Sequence, residues 1–266
     1  MGTGTDGRMG NVATALITGP ATGIGRAFAD KLALEGYDLV LVSRDEARLK
    51  EVAADITRLH GVACEVLAAD LTDPEDLGRV EERFRTGPIE VLVNNAGFGQ
   101  KKPFWANPVE VEEKQFDLLV RVVLRLTHAA VLPMIERGSG AVINVSSVAG
   151  FMQRNVYSAH KAWVTNFSAG LAVELHSKGV AVMALCPGFV HTEFHDRMGM
   201  DKTIIPSFLW LDATDLVNAA WKDLMRGKAI SIPSRRYQLI VAAARYTPRA
   251  LIARVSTVGL DGRRRA

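Results

Sequence analysis

Cysteine is scarce in this chain. There are two in 266 residues, Cys64 and Cys186, each inside an apolar, strand-like run. That excludes a disulfide framework and a thiolate metal site, and it points to buried thiols in a reducing, cytoplasmic compartment. The six histidines show no ligand spacing, so no metal is expected. An excess of one charge is also lacking. Lys and Arg total 32 against 29 Asp and Glu, and a net charge of +3 gives no electrostatic footprint for nucleic acid. No uninterrupted apolar run of about 18 residues occurs, so no transmembrane helix is expected. The nearest candidate, 237–255, contains Arg245, Pro248, Arg249 and Arg254, and is suited to lying on a bilayer rather than crossing it. Residues 1–10 are rich in Gly and Thr without an apolar core, and read as a flexible N-terminus rather than a secretory signal.

What remains is an ordinary globular composition, 48% hydrophobic and 23% charged. Apolar strand-like runs alternate with helical patterns. Strands are expected at 12–18, 38–42, 62–68, 89–93, 140–147, 180–186 and 229–232. Helices are expected at 46–59, 74–84, 108–137, 156–177 and 212–226, with another running to Leu34. In the long helix, Val111, Phe116, Leu119, Val122, Leu126 and Ala130 form one stripe. Such βαβ alternation implies a Rossmann-like, doubly wound α/β domain over 11–233, with a mainly seven-stranded parallel sheet flanked by helices.

The first strand runs into Gly19-Pro20-Ala21-Thr22-Gly23-Ile24-Gly25 and then a helix. This is the layout of a dinucleotide phosphate site, where glycines admit the pyrophosphate and the helix N-terminus offers free N–H groups. The second strand ends at Ser43-Arg44, where an acid would bond a ribose 2′-hydroxyl and an Arg accommodates a 2′-phosphate, so NADP(H) is favoured over NAD(H). Asp45 reads as the N-cap of the next helix. Asp70-Leu71 follows the third strand, and Asn94-Asn95-Ala96-Gly97 closes the fourth at the edge where open parallel sheets bind ligands.

Ser147 lies ten residues before Tyr157-Ser158-Ala159-His160-Lys161. Tyr157 and Lys161 share a helix face, and an ammonium beside a phenol favours phenolate and lowers its pKa. The spacing alone also fits a solvated helix face. Residues 190–212, with Phe194, Met198, Met200, Ile204, Ile205, Phe208, Leu209 and Trp210, read as a lid over an apolar substrate. From 234 to 266, Tyr237, Leu239, Ile240, Val241, Tyr246, Leu251, Ile252 and Val255 mix with arginines. This basic amphipathic extension fits peripheral contact with a membrane surface, or a helical arm packed on a neighbouring subunit.

Together, Thr18-Gly19-x-x-x-Gly23-Ile24-Gly25, Asp70-Leu71, Asn94-Asn95-Ala96-Gly97, Asn144-Val145-Ser146-Ser147, Tyr157-x-x-x-Lys161 and Pro187-Gly188-x-x-x-Thr192 resemble the short-chain dehydrogenase/reductase family, ketoacyl reductases in particular. The resemblance implies that Tyr157 is the general acid or base. It implies that Lys161 bonds the nicotinamide ribose and that Ser147 polarises the carbonyl. Asp70 would contact adenine, Asn95, Ala96 and Gly97 would line the adenosine side, and Pro187, Gly188, Val190 and Thr192 would embrace the nicotinamide. A homodimer or homotetramer built through 108–137 and 156–177 is implied as well.

Three positions depart from the family pattern. No Asn occurs between Asn107 and Asn144, so Leu119 or Val123 takes the place of the usual helix Asn. The Ser147–Tyr157 interval is short, and His160 replaces the usual Ser or Thr. The expected activity is NADPH-dependent reduction of a ketone, or oxidation of the secondary alcohol, on an apolar substrate such as a 3-ketoacyl thioester or steroid-like ketone. The alternative is an NADP-binding, redox-responsive scaffold with little catalysis.

Overall fold

The computed structural model describes residues 13–193 and 205–246. In chain order the main elements are β1 (Thr14–Thr18), α1 (Gly23–Leu34), β2 (Asp38–Ser43), α2 (Glu46–His60), β3 (Cys64–Ala68), α3 (Pro74–Thr86) and β4 (Val91–Asn94). Then come α4 (Val109–Phe116), α5 (Val122–Arg137), β5 (Gly140–Val145), α6 (Val156–Glu174), β6 (Val180–Leu185), β7 (Phe189–Val190) and β8 (Trp210–Leu211). The described chain ends with α7 (Ala213–Met225), β9 (Ile230–Ser231) and α8 (Arg235–Tyr246).

Seven strands form a sheet in the order β3-β2-β1-β4-β5-β6-β9, with every pair parallel. The expected doubly wound α/β fold is therefore present. Alternate residues of β1 serve opposite faces: Ile17 joins Phe28, Leu32, Leu49 and Trp221, while Leu16 joins Leu77, Val80, Leu126 and Met134. Burial on both faces explains why the central strands read as unbroken apolar runs. β3 lies at the edge, and there Cys64 is only half-buried, unlike the fully buried Cys186 and contrary to expectation.

Local chemistry sets the helix starts. Asp45 accepts from the Arg48 N–H at 3.0 Å, and Asp73 caps α3 just before Pro74. Asp212 likewise caps α7. The helix from 109 to 137 differs from the sequence expectation. It widens to a π-helical turn at Asp117–Arg121. One extra residue in a turn shifts the helical phase by about 100°. Phe116 consequently faces outward, 48% exposed, while Glu112 and Gln115 turn inward. By length and mean hydropathy (1.7) this run is long and apolar enough to cross a membrane, but Leu119, Leu126, Ala130 and Met134 are fully buried in the fold.

A third, smaller core holds Val148, Tyr237 and Val241, with Phe151, Phe189, Leu209, Leu211 and Ile240 packed around it. The apolar face of the C-terminal extension that carries Tyr237 and Val241 is thus turned onto the domain. Leu239, on the other side of α8, is 72% exposed. Phe194, Met198, Met200 and Ile204 of the expected lid, the side chain of Tyr246, and Leu251, Ile252 and Val255 lie outside the described residues.

Candidate active site at the carboxyl edge of the sheet

The strand order reverses between β1 and β4, and a parallel sheet opens its ligand crevice at such a point. The glycine turn leaves β1 there. Gly19 has φ +65°, a left-handed conformation that a Cβ disfavours. A Cβ on Gly25 would lie 2.1 Å from the Gly19 carbonyl oxygen, so only glycine lets the turn close on α1. Thr22 precedes α1 in an extended conformation and makes no side-chain capping hydrogen bond. A tight cradle at a helix start left uncapped by Thr22 fits a pyrophosphate. Ala21 and Ile24 complete the turn, and Ile24 packs on the core beneath it.

Asn95 braces this turn. Its amide donates to the carbonyls of Thr18 and Gly19, each at 3.0 Å, and the Thr18 hydroxyl accepts from the N–H groups of Asn95 and Ala96. Thr18 and Asn94, which the sequence reading names only as members of their motifs without a role of their own, contribute here. Asn94 joins Asn144 at 2.9 Å and Thr127 at 3.2 Å, tying β4 to β5 and α5. Position alone hides this role, since only the fold brings those residues together.

Ser43 ends β2, and the exposed Arg44 guanidinium lies 3.8 Å from Asp70. The other Asp70 oxygen accepts from the Thr72 N–H and hydroxyl. Arg44 and Asp70 therefore share one rim of the crevice. The Leu71 side chain is buried in the core with Leu77 and Val80. Gly97 faces Leu119, whose Cδ2 lies 2.9 Å from where a Cβ would stand. On the far side, Thr192 sits against Gly23, 2.6 Å from the place of its absent Cβ, so the segment after Pro187-Gly188 reaches back to the glycine turn. Val190 is buried within β7.

The catalytic candidates converge at the end of β5. Asn155 caps α6, accepting from the N–H and hydroxyl of Ser158, which puts Tyr157 in the first helical turn. The short interval after Ser147 is taken up by a 3-10 turn, Val148–Phe151, that rides directly on α6. A Cβ on Gly150 would meet the Lys161 carbonyl carbon at 2.8 Å. The Ser147 side chain lies close enough to the Tyr157 hydroxyl to lower its pKa. Ser147 Oγ accepts from the Ala149 N–H at 3.1 Å, which leaves its own proton to donate. Lys161 Nζ lies 5.7 Å from the Tyr157 ring centroid and donates to the Val145 carbonyl at 2.7 Å.

Electrostatics reverse one expectation. Burial pushes the Tyr157 pKa up to about 12, with the Ser147 side chain opposing it, although Tyr157 keeps some solvent exposure. Burial also lowers Lys161 to about 8. Desolvation outweighs attraction here because the ammonium is turned to a strand carbonyl.

His160 points away from this centre. Its ring stands edge-on to Phe116 at 5.7 Å, and it lines a cavity of about 540 Å³ with Glu112, Phe104, Val156 and Arg121. Burial lowers its pKa, and its Nδ1 has no hydrogen-bond partner among the described residues. That suits a neutral packing residue rather than a second base.

Comparison with known proteins agrees with this fold. The short chain dehydrogenase family profile matches residues 13–203. The very-long-chain 3-oxoacyl-CoA reductase of Anas platyrhynchos is 36% identical over 207 residues, covering 74% of this chain and 64% of that protein. The Homo sapiens protein of that name is 32% identical, with 67% and 60% covered, so the chain spans less than two thirds of these relatives. Among solved structures, a short-chain dehydrogenase from Sphingobium yanoikuyae in complex with NADPH superimposes with a TM-score of 0.81 at 37% identity, covering 88% of this chain and 94% of that one. A bulky-bulky ketone specific alcohol dehydrogenase from Comamonas testosteroni gives 0.77 at 32% identity, covering 89% and 93%.

Proposed function

The chain belongs to the short-chain dehydrogenase family, and on that premise we propose that it is an NADPH-dependent oxidoreductase interconverting a ketone and a secondary alcohol. The substrate class is apolar and bulky, a 3-ketoacyl thioester or a steroid-like ketone. The observation that carries the reading is the convergence of the Ser147 and Tyr157 side chains at the edge of the crevice, with the Lys161 ammonium 5.7 Å from the Tyr157 ring centre. The relatives' names support a bulky substrate, and the NADPH of the Sphingobium structure supports the cofactor. The glycine turn at Gly19–Gly25 and the segment from Pro187 to Thr192 would hold the nicotinamide cofactor, which would supply the hydride.

Ser147 and Tyr157 turn two hydroxyls toward one substrate oxygen. As negative charge develops on that oxygen, the Ser147 proton stabilises it and Tyr157 hands over its own. A phenol held near 12 is a weak acid, but an alkoxide is the stronger base and takes the proton. The resulting phenolate is then held by the positive end of α6 and by Lys161. In the alcohol-oxidising direction, the same phenolate is the base.

The test is consumption of NADPH, followed by its absorbance, against long-chain 3-oxoacyl-CoA, bulky aryl ketones and steroid ketones. Tyr157→Phe should lower turnover by about 10²–10⁴-fold. Turnover unchanged in that variant would overturn the mechanism. One observation favours a second reading: Leu119, with Val123 one of two residues at the place of the family's helix Asn, is fully buried and packs against Gly97. A cofactor-binding scaffold would bind NADPH yet oxidise it with no member of the panel.

The same reading extends to assembly. Leu124 and Leu132 on α5 and Val173 on α6 are 44%, 50% and 80% exposed. Apolar side chains left open on two neighbouring helices suit a homodimer or homotetramer built through them. Light scattering should then give a multiple of 28.9 kDa, and Leu132→Glu should return the monomer.

A further inference from the structure

The site's least expected neighbour is α8. Its Tyr237 is only 3% exposed. The hydroxyl accepts from the Phe189 N–H at 3.0 Å and donates to the Leu209 carbonyl at 2.7 Å. One oxygen thus ties the start of β7 to the residue that leads into β8. The ring lies flat against Gly188: a Cβ there would stand 2.0 Å from Tyr237 Cζ. Gly188 is therefore glycine because this aromatic ring occupies the space of its side chain. Arg236, the preceding residue, bonds the Phe208 carbonyl and sits over that ring.

We propose that Tyr237 is a positioning residue of the redox site, fixing the backbone after Pro187-Gly188 relative to the Ser147 turn. The inference rests on the oxidoreductase reading above. Its connections run both ways. The Pro187 carbonyl accepts from the Val148 N–H at 3.0 Å, and Val148, the neighbour of Ser147, packs in one cluster with Tyr237 and Val241. Beyond β7, Thr192 abuts Gly23 of the glycine turn. A shift of residues 188–190 therefore reaches the cofactor crevice on one side and the catalytic serine on the other. Removing the hydroxyl alone would leave the ring seated on Gly188 but release both strands, because a buried N–H deprived of its acceptor drives the backbone to find another.

Three full-length proteins test this: wild type, Tyr237→Phe and Val241→Ala. The readings are the NADPH dissociation constant from fluorescence titration, steady-state kinetics with a ketone that wild type reduces, and the melting temperature. Tyr237→Phe should weaken NADPH binding about tenfold, equivalent to about 1.4 kcal/mol. Val241→Ala, which only thins the same cluster, should lower the melting temperature at least as much while leaving NADPH affinity within about twofold. A Tyr237→Phe constant equal to wild type would overturn the positioning role alone, as would affinity losses in both variants that merely follow their melting temperatures. Wild type that binds no NADPH would overturn the oxidoreductase reading as well.

Discussion

The ammonium of Lys161 donates to the backbone carbonyl of Val145 at 2.7 Å, while its nitrogen stays 5.7 Å from the centre of the Tyr157 ring. That bond clamps α6 to the end of β5, and Ser146, whose hydroxyl donates to the Lys161 carbonyl at 2.7 Å, doubles the clamp. Helix α6 is thereby registered to the sheet. Holding an ammonium in that place has a thermodynamic cost, since burial lowers the Lys161 pKa from 10.5 to about 8.

Stability should therefore depend on pH in a defined direction. Below about pH 8 Lys161 is charged in both the folded and the unfolded protein. Above that value the folded protein releases the proton first, so the unfolded state binds more protons and stability rises with pH up to about 10.5. Tyr157, raised from 10.0 to about 12, acts in the opposite sense only above pH 10, where the unfolded chain ionises first. Between pH 8 and 10, cofactor-free wild type should gain on the order of 2 kcal/mol relative to Lys161→Met. Urea midpoints of both proteins across that range measure it, and a difference that stays flat with pH would contradict a destabilised ammonium.

The parts of the site legible in the sequence are those written locally. The glycine turn, the Asp45 and Asp73 caps, and the Ser147–Tyr157–Lys161 spacing each depend on residues a few positions apart. What could not be read depends on pairings across the chain. Phe116 carried the helical stripe until a π turn shifted its phase. In the sequence Tyr237 reads as part of an amphipathic arm, for a membrane surface or a neighbouring subunit, because its partners in the fold lie 48 and 28 residues away. The resemblance assigns Asn95 to the adenosine side, whereas the grip of its amide on Thr18 and Gly19 becomes visible only once β1 and β4 are neighbours. Even the sign of the Tyr157 shift needed the depth of the site.

Arg44 gives a prediction about cofactor choice. Its guanidinium is exposed, 78% accessible, and among the described residues it is held near the rim only by the 3.8 Å approach to Asp70. A group so placed contributes little to folding. Arg44→Ala should leave the melting temperature nearly unchanged while raising KM for NADPH roughly 10- to 100-fold, the worth of one or two charged hydrogen bonds. KM for NADH should change little. Equal losses with the two cofactors would remove the 2′-phosphate from the account of Arg44.

Asn155 tests whether the helix start matters for chemistry as well as for folding. Its side chain accepts from the N–H and the hydroxyl of Ser158, pinning the turn that carries Tyr157. Asn155→Ala should cost about 1 kcal/mol of stability. It should also lower kcat several-fold, because Tyr157 loses its fixed approach to Ser147. Asn155→Asp, which keeps the cap, should recover most of both. Recovery of stability without kcat would mean that the cap does not orient Tyr157.

Two glycines separate cofactor binding from ordinary helix propensity. A Cβ on Gly25 would stand 2.1 Å from the Gly19 carbonyl oxygen and 2.5 Å from the Asn95 amide, and neither can retreat without opening the turn. Gly78, inside α3, has nothing within 4 Å of the same position. Gly25→Ala should therefore cost roughly 1–3 kcal/mol and abolish NADPH binding. Gly78→Ala should gain about 0.5–1 kcal/mol, and NADPH affinity should not move. In melting temperature the gain is about 1–4 °C for a chain of this size. Scanning fluorimetry with and without NADPH separates the cases: a ligand shift in Gly25→Ala as large as in wild type would mean that the turn does not cradle the cofactor.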